Sequence, residues 1–365
     1  EIRLSLVGSE MCIRDSINID IIKGIGIILM VGGHCGMPFT HFIYLFHMAI
    51  FFMASGYCFN ASNSETMQDV LSFVKRKFKG LWFPYVLWTA VFSLLHNVFI
   101  KTGIYSSDPW LISEIEKNII KSFFLHGHTQ LGSALWFIST LMQIAVLYCC
   151  IDYVIKKVAA SKKANFLLQG AVSIVFLVIG YRCALTDSIW GGVNRVLSYY
   201  CLFYLGAVVR ELQKTVRIEK YHYWKMVVAF LILVLCNQIG SIALDENRYE
   251  NPAFLLVVSI CGWVLLYEIA QELKKKKLLS DAVVCCGQNS MAIVVLHFLC
   301  FKIISLVGVV VYNQPRERIA AFPVLYEQGA WWIVYMFAGI IVPVLLSVVW
   351  KKLKGKQEKR YSVVK

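Results

Sequence analysis

Runs of about twenty apolar residues recur along the whole chain, and no other feature constrains the fold as much. Met226–Ile242 and Trp331–Trp350 are two of them. A helix needs about 20 residues to cross a hydrocarbon core about 30 Å thick. Lipid offers no hydrogen-bond partners, so a spanning segment must satisfy its backbone internally, and a helix does this. Apolar and aromatic residues make up 58% of the 365 residues and charged ones only 16%, too little charge to cover the surface of a soluble globule of this size. No room is left for a soluble catalytic domain. The chain reads as an all-α integral membrane protein.

Hydrophobic periodicity predicts about ten transmembrane helices, over 17–36, 41–60, 80–100, 133–154, 165–184, 195–210, 225–243, 253–271, 288–311 and 330–350. The basic residues between them alternate. The even-numbered loops and the tail carry 24 Lys and Arg, and the odd-numbered loops carry eight. The positive-inside rule then puts both the N-terminus and the C-terminus in the cytoplasm. The net charge of +14 belongs to these loop clusters, so no nucleic-acid partner is expected. Twelve cysteines fall mostly within apolar runs, as small hydrophobes do, and no Cys/His spacing suggests a metal.

Three parts are expected. Residues 1–16, EIRLSLVGSEMCIRDS, have neither an apolar signal core nor a small-residue cleavage site, and are expected to be a non-native leader. Residues 17–350 form the membrane domain, and 351–365 a basic cytoplasmic tail. The longest outer loop, about 101–132, is either an interfacial cap or a lid over a substrate. No internal repeat or matching pair of interrupted helices, the usual signs of a transporter, is visible.

Ionisable residues within apolar runs are costly and tend to be functional. Helix 1 carries Asp20, Lys23 and His34 in INIDIIKGIGIILMVGGHC. Lys23 and His34 are eleven residues apart, roughly three turns plus 20°, so they share a face with about 16 Å between them along the axis. Asp20, three residues before Lys23, can pair with it. A lone histidine in a bundle is either a hydrogen-bonded packing residue or a base. An imidazole with an ordinary pKa of about 6.5 is mostly neutral at pH 7 and can accept a proton from a hydroxyl.

His47 opens helix 2 in FHMAIFFMASGYCFN and is expected on the outer side near His34. The cluster KRKFKGLWFPY follows, where Arg76 and Lys79 either anchor the chain at the membrane or hold the phosphates of a cytoplasmic cofactor. Helix 9 adds His297 and Lys302 in GQNSMAIVVLHFLCFKI, with Asn289 upstream.

These segments together resemble the acyltransferase-3 family of membrane acyltransferases, within it the fucose 4-O-acetylase-like group. The resemblance is carried in order by NIDIIKGIGIILMVGGHC, FHMAIFFMASGY, the basic stretch running into FPYVLW, LWFISTL and GQNSMAIVVLH, over about residues 17 to 300. It implies an acyl-CoA donor, usually acetyl-CoA, bound from the cytoplasmic side of the inner membrane. The acceptor it implies is a hydroxyl of a carbohydrate or glycolipid. It also implies a catalytic His34 and a required Lys23. From the residues themselves, Asp20, His47 and His297 are expected in support. Two departures stand out: Lys79 replaces the second arginine of a common Arg-x-x-Arg pattern, and Ala49 stands where relatives commonly have proline. A glycolipid transporter or flippase is the alternative reading. The sequence says nothing of oligomeric state.

Overall fold

The computed structural model describes residues 2–186, 192–215 and 222–362. Of the loop cations counted above, Arg217, Lys220 and Lys365 lie outside them. In chain order the helices begin with α1 (Ile2–His34), α2 (Thr40–Tyr44), α3 (His47–Tyr57), α4 (Met67–Lys77), α5 (Phe83–Leu94), α6 (His96–Lys101) and α7 (Ile112–Phe123). They continue with α8 (Trp136–Val158), α9 (Lys162–Leu185), α10 (Val193–Thr215), α11 (His222–Ile239), α12 (Pro252–Leu273), α13 (Lys277–Gln288), α14 (Ser290–Val311) and α15 (Trp331–Ser362). A short antiparallel pair, β1 (Ile242–Ala243) with β2 (Arg248–Tyr249), follows α11.

Six helices are long and apolar enough to cross a membrane, judged among the described residues. They begin at Ile17 within α1, at Ser133 just before α8, and then comprise α9, α12, α14 and the first part of α15. Apolar side chains such as Leu167 and Ile174 on α9, and Phe337 and Leu345 on α15, are exposed. Water would penalise such surfaces, whereas lipid covers them at no cost.

Several expected helices differ in detail. The segment 41–60 is broken: α2 stops at Tyr44, and Leu45 and Phe46 form a turn before His47 restarts the chain as α3. α3 itself runs unbroken through Ala49. The segment 80–100 begins as a π turn over Phe78–Trp82 and breaks again at Leu95, between α5 and α6. The helix expected to reach 243 ends at Ile239, and Ile242 pairs with Tyr249 instead. Periodicity also passed over α4 and α13, which are amphipathic and short. In α4, Thr66 and Asp69 form a reciprocal capping box, and Lys75, Arg76 and Lys77 fill the last turn, where cations favour the helix dipole. α7 forms the helical part of the long loop over 101–132.

The fold divides into two compact units. One contains residues 1–40, 94–110 and 274–365. Here α1 lies against α13 through glycines: a side chain on Gly24 would collide with the Val283 carbonyl, and one on Gly287 with that of Asp20. α1 ends because Gly36 takes a left-handed φ of 74°, which glycine adopts without strain. The other unit contains residues 41–93 and 111–273. In it α3 and α10 touch backbone to backbone at Gly56 and Gly206, and α9 meets α10 at Gly180. Such small-residue seams bring helices together where lipid provides no hydrophobic drive.

Lys302 is a buried charged residue of the first unit. It is 2% exposed, and its ammonium donates to the carbonyls of Ile319, Ala320 and Ala321 at 3.0, 3.1 and 2.6 Å. All three protons are used, so it pins the turn Arg316–Ala320 onto α14. Lys302→Met keeps the stem but strands three carbonyls. Removing the buried charge offsets part of that loss, and a net cost of about 2 kcal/mol is expected. Thermal unfolding in detergent checks it, and a variant as stable as wild type would refute the pinning role.

Candidate functional site

The polar residues of α1 are arranged along a helix that is continuous from Asp20 to His34. Lys23 Nζ lies 2.8 Å from Asp20 Oδ1, and the amide of Gln288 donates to Asp20 Oδ2 at 3.1 Å. The expected Asp20–Lys23 pair is therefore present and extended by a residue of α13. The side chains are 33% and 18% exposed, so this is a partly solvated pair rather than a buried charge. Its energetic weight is correspondingly small.

His34 is the last residue of α1. Its ring stacks on that of His297 from α14, with centroids 5.5 Å apart and planes 26° from parallel. The Phe298 ring closes in at 5.0 Å. His297 is fully buried and its Nδ1 lies 2.9 Å from the Ile293 carbonyl. A carbonyl can only accept, so Nδ1 carries the proton and Nε2 presents a lone pair. That Nε2 is buried and has no hydrogen-bond partner. The helical repeat of α1 brings Lys23 and His34 to one face, but only the packing of α14 on α1 joins His34 to His297. Asn289 has a different role. Its Oδ1 accepts from Ser347 and Lys351 of α15 at 2.8 and 2.7 Å, fastening the break between α13 and α14.

The remaining candidates belong to the second unit. His47 is buried, with Nδ1 3.0 Å from the Ile43 carbonyl and its ring stacked on Tyr44. This locks the ring at the α2–α3 turn. Arg76 donates to Asn63 Oδ1 at 2.5 Å, and Lys79 is exposed on the π turn.

Two further cations, read from sequence only as loop anchors, converge with Arg76 on the segment 59–64. Arg210 donates to the Phe59 carbonyl at 2.6 Å. Lys156 donates to the Ala61 carbonyl at 2.6 Å and to Ser64 Oγ at 2.8 Å, while pairing with buried Asp152 at 2.9 Å. Half-buried Lys77 lies 5.1 Å from the Phe73 ring, and burial pushes its ammonium pKa down. Thus one short segment gathers three cations, two of which, Arg76 and Arg210, spend the contacts described on neutral oxygens. Such a cluster has the chemistry to hold a phosphorylated ligand. Asp152 four residues before Lys156 was the sequence signal for one of them; nothing local marks Arg210.

A family model described as an acyltransferase domain matches residues 16–348 of the chain. No curated protein and no solved structure matches it.

Proposed function

Because the chain belongs to the acyltransferase-3 family, we propose that it is a membrane O-acetyltransferase that moves an acetyl group from acetyl-CoA to a hydroxyl of a sugar. The observation that carries this reading is the imidazole of His34 at the end of an apolar helix, stacked on a second imidazole. The sugar belongs to a glycolipid or a surface polysaccharide. The protein sits in the inner membrane as a bundle of about ten crossings with both termini in the cytoplasm, as the loop charges favour.

In this reading His34 takes the proton from the acceptor hydroxyl as its oxygen attacks the thioester carbonyl. The carbon–sulfur bond then breaks, and the imidazolium returns the proton to the departing thiolate. Oxygen gains the acetyl group and CoA leaves as the thiol. Arg76 and Lys79 serve the phosphates of the donor, with Lys156 and Arg210 adding positive charge to the segment that Arg76 contacts. Lys23, held by Asp20, serves the donor path rather than the reacting atoms, because about 16 Å of helix separates it from His34.

Thermal unfolding of the detergent-purified protein, with and without saturating acetyl-CoA, tests the donor. Wild type and His34→Ala are expected to be stabilised, since a ligand that binds only the folded state adds about 2.7 kcal/mol at a hundred times its Kd. Lys23→Ala is expected to lose the shift. No shift in folded wild type would favour a glycolipid transporter, which has no use for the nucleotide.

A further inference from the structure

The lone pair on His297 Nε2 has no counterpart in the protein. The residue is fully buried, its Nδ1–H is committed to Ile293, and Nε2 has no partner. Leaving an acceptor unsatisfied costs about 1–3 kcal/mol, and a phenylalanine would fill the same apolar hole without that cost. The cost must serve something.

No neighbouring group supplies the missing proton. Lys302, five residues along α14, gives its protons to three carbonyls. Phe298 and Phe301 pack on the imidazole with ring centroids at 4.0 and 5.6 Å. Gly339 of α15 brings bare backbone close to its Cβ. The His34 ring lies 5.5 Å away by centroids and makes no hydrogen bond to Nε2. So the two imidazoles stand side by side, and a third group must be the donor to Nε2.

We propose that His297 is a substrate-holding residue whose Nε2 accepts a hydrogen bond from one hydroxyl of a vicinal diol on the acceptor, while His34 takes the proton of the neighbouring hydroxyl. This rests on the reading of His34 as the base and narrows the acceptor to sugars with two adjacent free hydroxyls. Hydroxyls on neighbouring carbons stand about one hydrogen-bond length apart, so each can reach one of two imidazoles whose centroids are 5.5 Å apart. His297 contributes binding and register, and the bond-making proton stays with His34.

The two amide replacements of histidine separate this role from packing. His297→Asn puts an amide N–H where Nδ1–H was, keeping the bond to Ile293 and removing the acceptor. His297→Gln reaches further and can put a carbonyl oxygen where Nε2 was. Wild type and both variants, checked for folding in lipid nanodiscs, would be supplied with acetyl-CoA and the methyl glycosides of galactose, glucose, mannose and fucose, together with their monodeoxy forms. Thiol release reports transfer.

For the best glycoside, His297→Asn is expected to raise KM about tenfold with little change in kcat, and His297→Gln to recover most of it. Deleting the hydroxyl beside the acetylated one should raise KM about tenfold in wild type and hardly at all in His297→Asn. An unchanged KM in His297→Asn, or an equal penalty for the deoxy sugar in both proteins, would overturn the proposal. Melting temperatures with each glycoside separate the two levels. If no thiol is released but glycosides stabilise wild type and His297→Gln and not His297→Asn, acyl transfer falls and the sugar site stands. If no thiol is released and no glycoside shifts any of the proteins, the site falls as well.

Discussion

His34→Ala is expected to lower acetyl transfer by roughly 10²–10⁴-fold, the span that a positioned general base contributes. Binding of acetyl-CoA should persist, because the imidazole acts on the acceptor hydroxyl and not on the donor's phosphates. Folding should persist too. The ring is only partly buried and sits at the end of α1, where its removal uncovers one face each of His297 and Phe298. Stability is expected to fall by about 1 kcal/mol or less. The measurement is thiol release at saturating acetyl-CoA, set beside the thermal shift from the same ligand. Loss of turnover with an intact shift assigns His34 to chemistry. Wild-type turnover in a folded His34→Ala protein would remove it from the mechanism, and a lost shift would move it to the donor site.

Gly206→Ala should cost about 3 kcal/mol, and Gly206→Val should leave little folded protein. By helix propensity alone alanine would be worth about 1 kcal/mol over glycine, so the two effects oppose each other. Packing decides the sign. A Cβ on Gly206 would run into the Met53 carbonyl oxygen, with the Tyr57 nitrogen next in line. One at Gly56 would strike the Phe203 carbonyl. Backbone atoms cannot rotate aside as a side chain can, so α3 and α10 would have to separate and give up the contacts along their seam. Thermal unfolding and the monodisperse fraction on size exclusion report the outcome. A Gly206→Ala protein more stable than wild type would mean that propensity prevails and the seam is loose. Gly80, with open space at its Cβ position, is the control and should tolerate alanine.

Much of this was readable in one dimension because lipid imposes a one-dimensional rule. A segment that crosses must be long, apolar and self-bonded, so α8, α9, α12, α14 and the start of α15 declare themselves by length and composition. The Asp20–Lys23 pair was readable for a related reason, since residues three apart on a helix meet whatever surrounds them. The same rule misjudged 41–60 and 80–100. Hydropathy averages over a window and does not register a turn at Leu45–Phe46 or Leu95 when the flanking residues are apolar. It also passed over α4, which a capping box starts, and α13, since both are short amphipathic helices without a long apolar run.

The sequence by itself determined that the chain is helical and built for a membrane, that it carries Lys23 and His34 on one face of its first apolar helix, and that it resembles the family to which it belongs. These follow from local periodicity and from ordered motifs. Only the tertiary structure decided which polar groups meet. His34 and His297 are 263 positions apart in the chain, and no periodicity links them; the packing of α14 on α1 does. The same packing buries Nε2 of His297 with no donor and gives every proton of Lys302 to a turn some seventeen residues downstream. Likewise Arg76, Lys156 and Arg210 come from three helices and converge because the carbonyls of one short segment need donors. Hydrogen bonds and ring contacts act over a few ångströms in space, so they are fixed by how helices pack and leave little trace in residue order.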